Sequence, residues 1–310
     1  MNNLKKVGLT ALAGALASVS VNAADLSVTG TASINFYGEE GKDTGNGFTM
    51  GDTISFAATQ ELDNGMTVTF TQALDQGAVD GGGLTIDMGD NGVLSFCGFD
   101  CSSAVGAKDD TTPTVGEEAW GDVTGATGAL GGAASNDMFT YNHSSLIDGL
   151  SLTIAYVPSD KAAQEESSVD YGAEFTTEGG LTIGAAMGEN NADADAGIDA
   201  SVLYANMVVG DAFTVGATIS EHDSEKANSD VDFQAYGISF AASEELSLSV
   251  NMSSHDYELA SKQDQDAMGI SVAYVMGSMT FTANHNTVDN IGGTGSDDRS
   301  GYNLNLAFAF

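Results

Sequence analysis

Apolar and polar residues alternate with a period of two along most of this chain, and the C-terminal segment shows the pattern without a fault. Tyr302, Leu304, Leu306, Phe308 and Phe310 fall on one face, whereas Gly301, Asn303, Asn305, Ala307 and Ala309 fall on the other. Successive side chains of a strand point to opposite sides, so this segment predicts a strand with one apolar face and one small or polar face. Its length suits a tilted crossing of a bilayer, and it ends on an aromatic, as strands do at a membrane interface. The alternation recurs at 26–36, 54–58, 66–70, 84–88, 150–156, 169–175, 181–187, 213–219, 246–252, 268–274 and 279–283. Two stretches are less regular. Segment 202–209 carries apolar residues on both faces, and 233–240 changes register as a bulged strand would.

The connections between these segments come in two kinds, and they alternate. Short ones hold turn residues such as Asp63-Asn64-Gly65, Asp90-Asn91-Gly92 and Glu178-Gly179-Gly180, which supply the positive φ of tight hairpins. Long ones span 38–47, 75–83, 97–136, 158–168, 188–199, 221–230, 253–266 and 287–298. Seven short and eight long connections imply sixteen strands, all antiparallel. An even number of strands with short turns on one side and long loops on the other is the topology of a transmembrane β-barrel.

The N-terminus fits export. Lys5 and Lys6 precede an apolar run over 7–19, and Val21-Asn22-Ala23 places small residues before a cleavage point. Residues 1–23 are therefore expected to be a signal peptide and 24–310 the barrel domain. No other stretch is apolar for long enough to form a transmembrane helix, so a membrane location requires a closed barrel, which satisfies every backbone group.

Charge sharpens the picture. The chain has a net charge of −36, and loss of the leader with its two lysines takes this to −38. Nucleic-acid binding is excluded, because phosphate neutralisation needs clustered cations. Disorder is the other reading of such acidity, but the regular alternation and an apolar content of 42% oppose it. Most acidic residues fall in the long connections as bounded above, and none of the apolar-face positions in the segments named above is charged. That distribution separates a membrane barrel from a soluble sandwich, since a basic residue facing lipid at mid-depth costs about 2–4 kcal/mol and an acid somewhat less.

At this point the chain resembles the general porins of Gram-negative, particularly alphaproteobacterial, outer membranes. Besides the terminal strand, the resemblance is carried by 136–157, where Phe139-Thr140-Tyr141-Asn142 leads through Asp148-Gly149 into Leu150-Ser151-Leu152. The resemblance implies a sixteen-stranded barrel in the cell outer membrane, surrounded by its lipid, assembled as a homotrimer, with a third long loop folded into the lumen. It further implies passive diffusion of small hydrophilic solutes and ions, and no enzymatic chemistry. Residues 97–136 are the third long connection, and Glu117-Glu118-Ala119-Trp120-Gly121-Asp122 resembles the acidic tip that narrows such pores. Asp109, Asp110, Glu117, Glu118 and Asp122 are the expected constriction residues. The chain departs from many family members in its cations. Its one arginine is Arg299, and Lys42, Lys108, Lys161, Lys226 and Lys262 all fall in long connections. With no basic wall to oppose the acidic tip, a cation-preferring lumen is expected.

Cys97 and Cys101 are the only cysteines of an exported chain and are expected to pair at the root of the long loop. His143 and Ser145 share a strand face, yet the facing strand offers no Asn or Asp to orient the base, so catalysis is not expected. His222, His255 and His285 lack a metal-ligand spacing. Asp193 and Asp195 resemble alternate ligands of a calcium loop without its Gly and terminal Glu, so no cofactor is assigned and loop-bound Ca2+ is the one metal left open. Trp120 reads as an anchor for the loop, and 125–132 as a flexible glycine-rich run rather than a phosphate cradle. The alternative in a different class is a secreted or surface β adhesin that binds calcium through its loops.

Overall fold

A computed structural model describes residues 24–99, 101–133, 136–144, 146–159, 166–191, 197–210 and 212–310. The leader, Ser145, Lys161, Asp193 and Asp195 lie outside the described residues. Sixteen antiparallel strands form one closed barrel in which each pairs with its sequence neighbours and β1 closes on β16. They are β1 (Asp25–Glu39), β2 (Phe48–Glu61), β3 (Thr67–Asp75), β4 (Ala78–Asp87), β5 (Val93–Phe99), β6 (Met138–His143), β7 (Leu150–Val157) and β8 (Ser168–Thr176). The others are β9 (Leu181–Asn190), β10 (Ile198–Val209), β11 (Phe213–Ser224), β12 (Val231–Ala241), β13 (Leu246–Tyr257), β14 (Gln265–Met276), β15 (Met279–Asp289) and β16 (Arg299–Ala309).

The barrel is inverted relative to a soluble protein. Leu203, Ile219, Ile270 and Met252 on the apolar face are about half exposed. Ser249, Asn251, Thr218, Asn284 and Asn286 on the opposite face are buried. Lipid takes the place of a protein core on the outside, because closure leaves no unpaired edge and alternation sends every second residue outward. Among the described residues no helix is long and apolar enough to cross a membrane.

Three expectations need correction. The connection expected over 75–83 is a two-residue turn at Gln76 and Gly77, whose φ values of 47° and 80° suit a tight hairpin. Irregular pairing falls nearby, between Ala73 and Leu74 and between Gly82 and Gly83. Strand β12 is paired without a shift, so there is no bulge over 233–240. Phe233 breaks the alternation because it lies on the polar face and packs there against Trp120, with ring centroids 5.4 Å apart. Val202 in β10 does the same against Ala104 and Val105. Finally, the strands from β9 to β15 run further than the apolar pattern, so several acids expected in loops stand on strand ends. Glu189, Asp199, Glu221, Asp223, Asp256, Asp266 and Asp289 are among them.

Candidate functional site

The connection from β5 to β6 starts at a covalent joint. Cys97 ends the polar face of β5 and is disulfide-bonded to Cys101, with Cα atoms 5.7 Å apart. Closing so short a segment removes little freedom from the unfolded chain, about 2 kcal/mol by loop entropy, so its main effect is on the direction in which the connection leaves the strand.

From there the connection is fastened to the polar face of one strand after another. Asp170 of β8, fully buried, accepts from the backbone N–H of Val105 and of Ala133. Asn206 of β10 donates to the Thr111 carbonyl at 2.8 Å, and Thr111 and Thr112 meet Thr218 of β11. Ser249 of β13 accepts from Val115 N–H at 3.0 Å, and Asn284 of β15 accepts from Glu117 N–H at 3.3 Å. Asn286 donates its amide to both the Glu118 and Gly121 carbonyls, at 2.9 and 2.8 Å. Asn303 of β16 donates to the Asp122 carboxylate at 3.1 Å. Close approach here requires glycine at 301, because a Cβ would collide with the Asp122 carbonyl.

The returning half is held as firmly. Glu39 of β1 accepts from the Thr124 N–H and hydroxyl at 3.2 and 2.6 Å, and is ion-paired with Arg299. Arg299 also donates to the Thr124 carbonyl at 2.8 Å and to Asp297. Gln265 makes a reciprocal pair with Thr127 at 2.8 and 2.9 Å. His255 and His222 use Nε2 to donate to the Gly128 and Gly131 carbonyls, at 2.7 and 2.6 Å. Each apolar cluster also mixes connection and wall residues, for example Ala119 and Val123 with Ala267 and Val288. Apart from Asp170, Glu39 and Arg299, these anchors are neutral amides, hydroxyls and imidazoles. Nothing in the sequence distinguished them from ordinary wall residues, apart from the out-of-place Val202 and Phe233.

Of the five acids singled out on this connection, four form one interacting group, and Asp109 is coupled to it through Asp110. Asp110, Glu117, Glu118 and Asp122 feel one another's charge. The carboxyls of Asp110, Glu117 and Glu118 lie above their ordinary pKa, first because the surrounding protein desolvates them and second because of their acidic neighbours. Desolvation also raises Asp122, opposed by the hydrogen bonds of Asn303 and Asn284. Asp110 and Glu117 nonetheless reach solvent, whereas Asp109 is buried. Burial, followed by repulsion from Asp110, pushes the Asp109 carboxyl up to about 7. Among the described residues the salt bridges are those of Arg299, so none of the four clustered acids has a cationic partner. Trp120 packs edge-on against Phe233 and serves as an anchor.

The wall formed by β1–β5 has a different character. Its polar face presents Thr29, Thr31, Ser33, Thr53, Ser55, Thr69, Thr85 and Ser95, with hydroxyl pairs such as Thr59–Thr69 and Thr85–Ser95 at 3.0 Å. No lysine or arginine stands on these strands. His143 stands on the opposite, apolar face, edge-on to Tyr141 at 6.1 Å. Among the described residues no group of three or more His, Cys, Asp or Glu is placed to hold a metal ion.

Comparison with known proteins agrees with this architecture. A porin from Rhodopseudomonas blastica carrying several substitutions is 15% identical and superposes with a TM-score of 0.66, over 92% of this chain and all of the other. The anion-selective porin from Comamonas acidovorans is 10% identical, with a TM-score of 0.69 over 93% of this chain and all of that one. No curated protein matches the chain. The family model for Gram-negative porins matches residues 8–310. The chain belongs to that family, and is a non-enzymatic outer-membrane β-barrel channel for passive diffusion.

Proposed function

We propose that the connection from β5 to β6, over its described residues 101–133, lies across the lumen as its constriction, and that the channel prefers cations. The observation that carries this reading is the cluster of Asp110, Glu117, Glu118 and Asp122, which has no cationic partner among the described residues, while the β1–β5 wall carries hydroxyls and no lysine or arginine. Field lines concentrate in a narrow aqueous passage walled by low dielectric, so such a group creates a negative potential of several kT. The fold does not set the sign, since an anion-selective porin shares it. Charged side chains do. Asp109, turned into the protein, contributes less than its neighbours. Small hydrophilic solutes and inorganic cations are the permeants of this reading.

Reversal potentials across planar bilayers under a KCl gradient test it. Cation preference is expected, weakening as salt shortens the Debye length, and falling when Glu117→Gln, Glu118→Gln and Asp122→Asn are combined. Anion preference, or a triple variant with unchanged selectivity, would overturn it.

The same reading includes removal of residues 1–23 and assembly as a homotrimer. The outer face of β16, β1 and β2 supports the second part. Apart from Asp52 it is apolar to its far end, where Phe48 and Met50 are 61% and 65% exposed and Phe36 packs between Phe48 and Tyr302. Beside it the wall drops, because β3 to β6 have only 6–10 residues against 14 and 15 in β2 and β1. Apolar surface beyond the lipid-facing band is suited to burial against another protomer. Cross-linking in detergent and N-terminal sequencing of the exported protein check the two parts.

A further inference from the structure

The outer face on the other side of the barrel ends differently. On β9 to β15 the apolar rows of Ile183, Leu203, Ile219, Ile238 and Ile270 give way, toward the long-loop end, to carboxylates on the same outward positions. These acids stand directly opposite one another across the strands: Glu189 with Asp199, Asp199 with Asp223, Glu221 with Asp232, Asp232 with Asp256, and Asp266 with Asp289. All are exposed. Like charges in direct cross-strand register repel, and strands β8 to β15 contain no lysine or arginine to relieve them.

Beneath this rim the surface is concave. A groove of about 710 Å³ runs over β8 to β13, with Ala173, Ala185 and Ser201 as its floor and Tyr171, Met187 and Leu203 among its walls. Glu221, Asp232 and Asp256 border it at the acidic end, and it adjoins a second groove bordered by Glu189, Asp199 and Asp223. Its volume falls within the range of small-molecule sites. It faces lipid, away from the β16–β1–β2 surface assigned above to protomer contacts.

From this juxtaposition we infer that the groove docks an amphiphile with a cationic head, its hydrocarbon chain on the Ala173–Ala185–Ser201 floor and its head among Glu221, Asp232 and Asp256. Charge complementarity selects the head. A row of unpaired carboxylates at the membrane surface repels phosphate and attracts ammonium. The hydrocarbon follows from the apolar floor, which a soluble cation would leave uncovered. The inference rests on the outer-membrane location of the barrel.

Electron paramagnetic resonance of the full mature protein in phosphatidylcholine vesicles tests it. Trace spin-labelled phosphatidylcholine, phosphatidylglycerol or a diacyl trimethylammonium lipid is added, and the motionally restricted fraction of each is compared. The cationic label is expected to be enriched about fivefold over phosphatidylcholine, the attraction of a single charge at a membrane surface. Neutralising the rim with Glu221→Gln, Asp232→Asn and Asp256→Asn should abolish that enrichment. Filling the floor with Ala185→Trp should reduce it while leaving the charge intact. Equal restriction of all three lipids, an unaffected rim variant, or stronger enrichment of phosphatidylglycerol in millimolar calcium would each overturn the inference, the last by showing a metal-bridged anionic head instead. Solute efflux from the same vesicles separates the two levels. Efflux without lipid selection refutes the docking site alone, whereas loss of efflux refutes the channel reading.

Discussion

Replacing Arg299 with methionine should free the returning half of the long connection while leaving the barrel closed. Arg299 is the only arginine, and its guanidinium bridges Glu39 on β1, Asp297 and the Thr124 carbonyl. The Glu39 side chain has no exposure, and its carboxylate also receives the Thr124 hydroxyl and N–H and the Tyr37 hydroxyl. Breaking a buried ion pair from one side typically costs about 3–5 kcal/mol, because a charge is left without its partner. This pair sits at strand ends near the mouth, where water and the remaining donors partly compensate, so about 2–3 kcal/mol is the better figure. That energy is local. The ladder from β1 to β16 does not depend on it, whereas segment 122–127 does.

Two assays read the effect. Hydrogen exchange in detergent should accelerate by roughly 30–150-fold at the amides of 122–127, the equivalent of 2–3 kcal/mol of local opening, with the strands unchanged. Single-channel recordings should show added flicker, because a tethered segment becomes able to leave its seat. Glu39→Gln in the Arg299→Met background removes the stranded charge and should recover part of the protection, a non-additivity expected of directly coupled groups. Exchange and current noise indistinguishable from the parent would refute the assignment of Arg299 and Glu39 as the latch on Thr124.

Two further outcomes follow from the same contacts. Asp109, with its carboxyl at about 7 against an ordinary 3.8, binds its proton more tightly folded than unfolded. Its contribution is therefore fully present below the unfolded value and is lost as pH rises through the folded one, so stability of the connection should decline between about pH 4 and 7. Asp109→Asn should flatten that decline, as read by hydrogen exchange at 105–112 over the same range, and a decline of unchanged slope would count against it. Opening the Cys97–Cys101 bond with a reductant should leave the barrel's melting temperature nearly unchanged while increasing exchange at 101–107. The unreduced, denatured protein should offer no thiol to a maleimide.

Much of the barrel could be read from alternation, because lipid and water impose opposite demands on adjacent residues and leave few substitutions neutral. The places where that reading failed share a cause. Phe233 and Val202 looked like register faults, yet each is an apolar residue on the polar face that packs against Trp120 or Val105. The turn at Gln76 and Gly77 reads as a long connection in the sequence because Gly81, Gly82 and Gly83 lack side chains that could reveal a face. The acids on the ends of β9 to β15 were assigned to loops because a carboxylate on an outward position contradicts the pattern only if the strand is assumed to end with the membrane.

The anchoring residues were invisible for a different reason, and it bears on how the site divides its labour. Asn206, Ser249, Gln265, Asn284, Asn286, His222 and His255 hold the connection through its backbone, so the interaction constrains position without fixing the identity of the residues held. A neutral amide bonded to a carbonyl contributes about 1 kcal/mol net and adds no charge to the passage. Many such bonds can therefore fix the connection without cancelling the field of Asp110, Glu117, Glu118 and Asp122. Had the same wall used arginines, each would have brought a compensating cation to the acidic cluster. Of the charged anchors, Asp170 holds the Val105 and Ala133 amides, and the Arg299–Glu39 pair offsets its own charge and sits on Thr124, beyond the clustered acids in the chain. On the proposed reading, anchoring thus falls mainly on backbone carbonyls and amides and charge selection on side chains without a cationic partner, with Asp122 alone serving both because Asn303 donates to its carboxylate. For that reason substitution of Asp110, Glu117 and Glu118 should alter selectivity with little effect on where the connection sits, whereas substitution of Asp122 should also loosen its seat on Asn303.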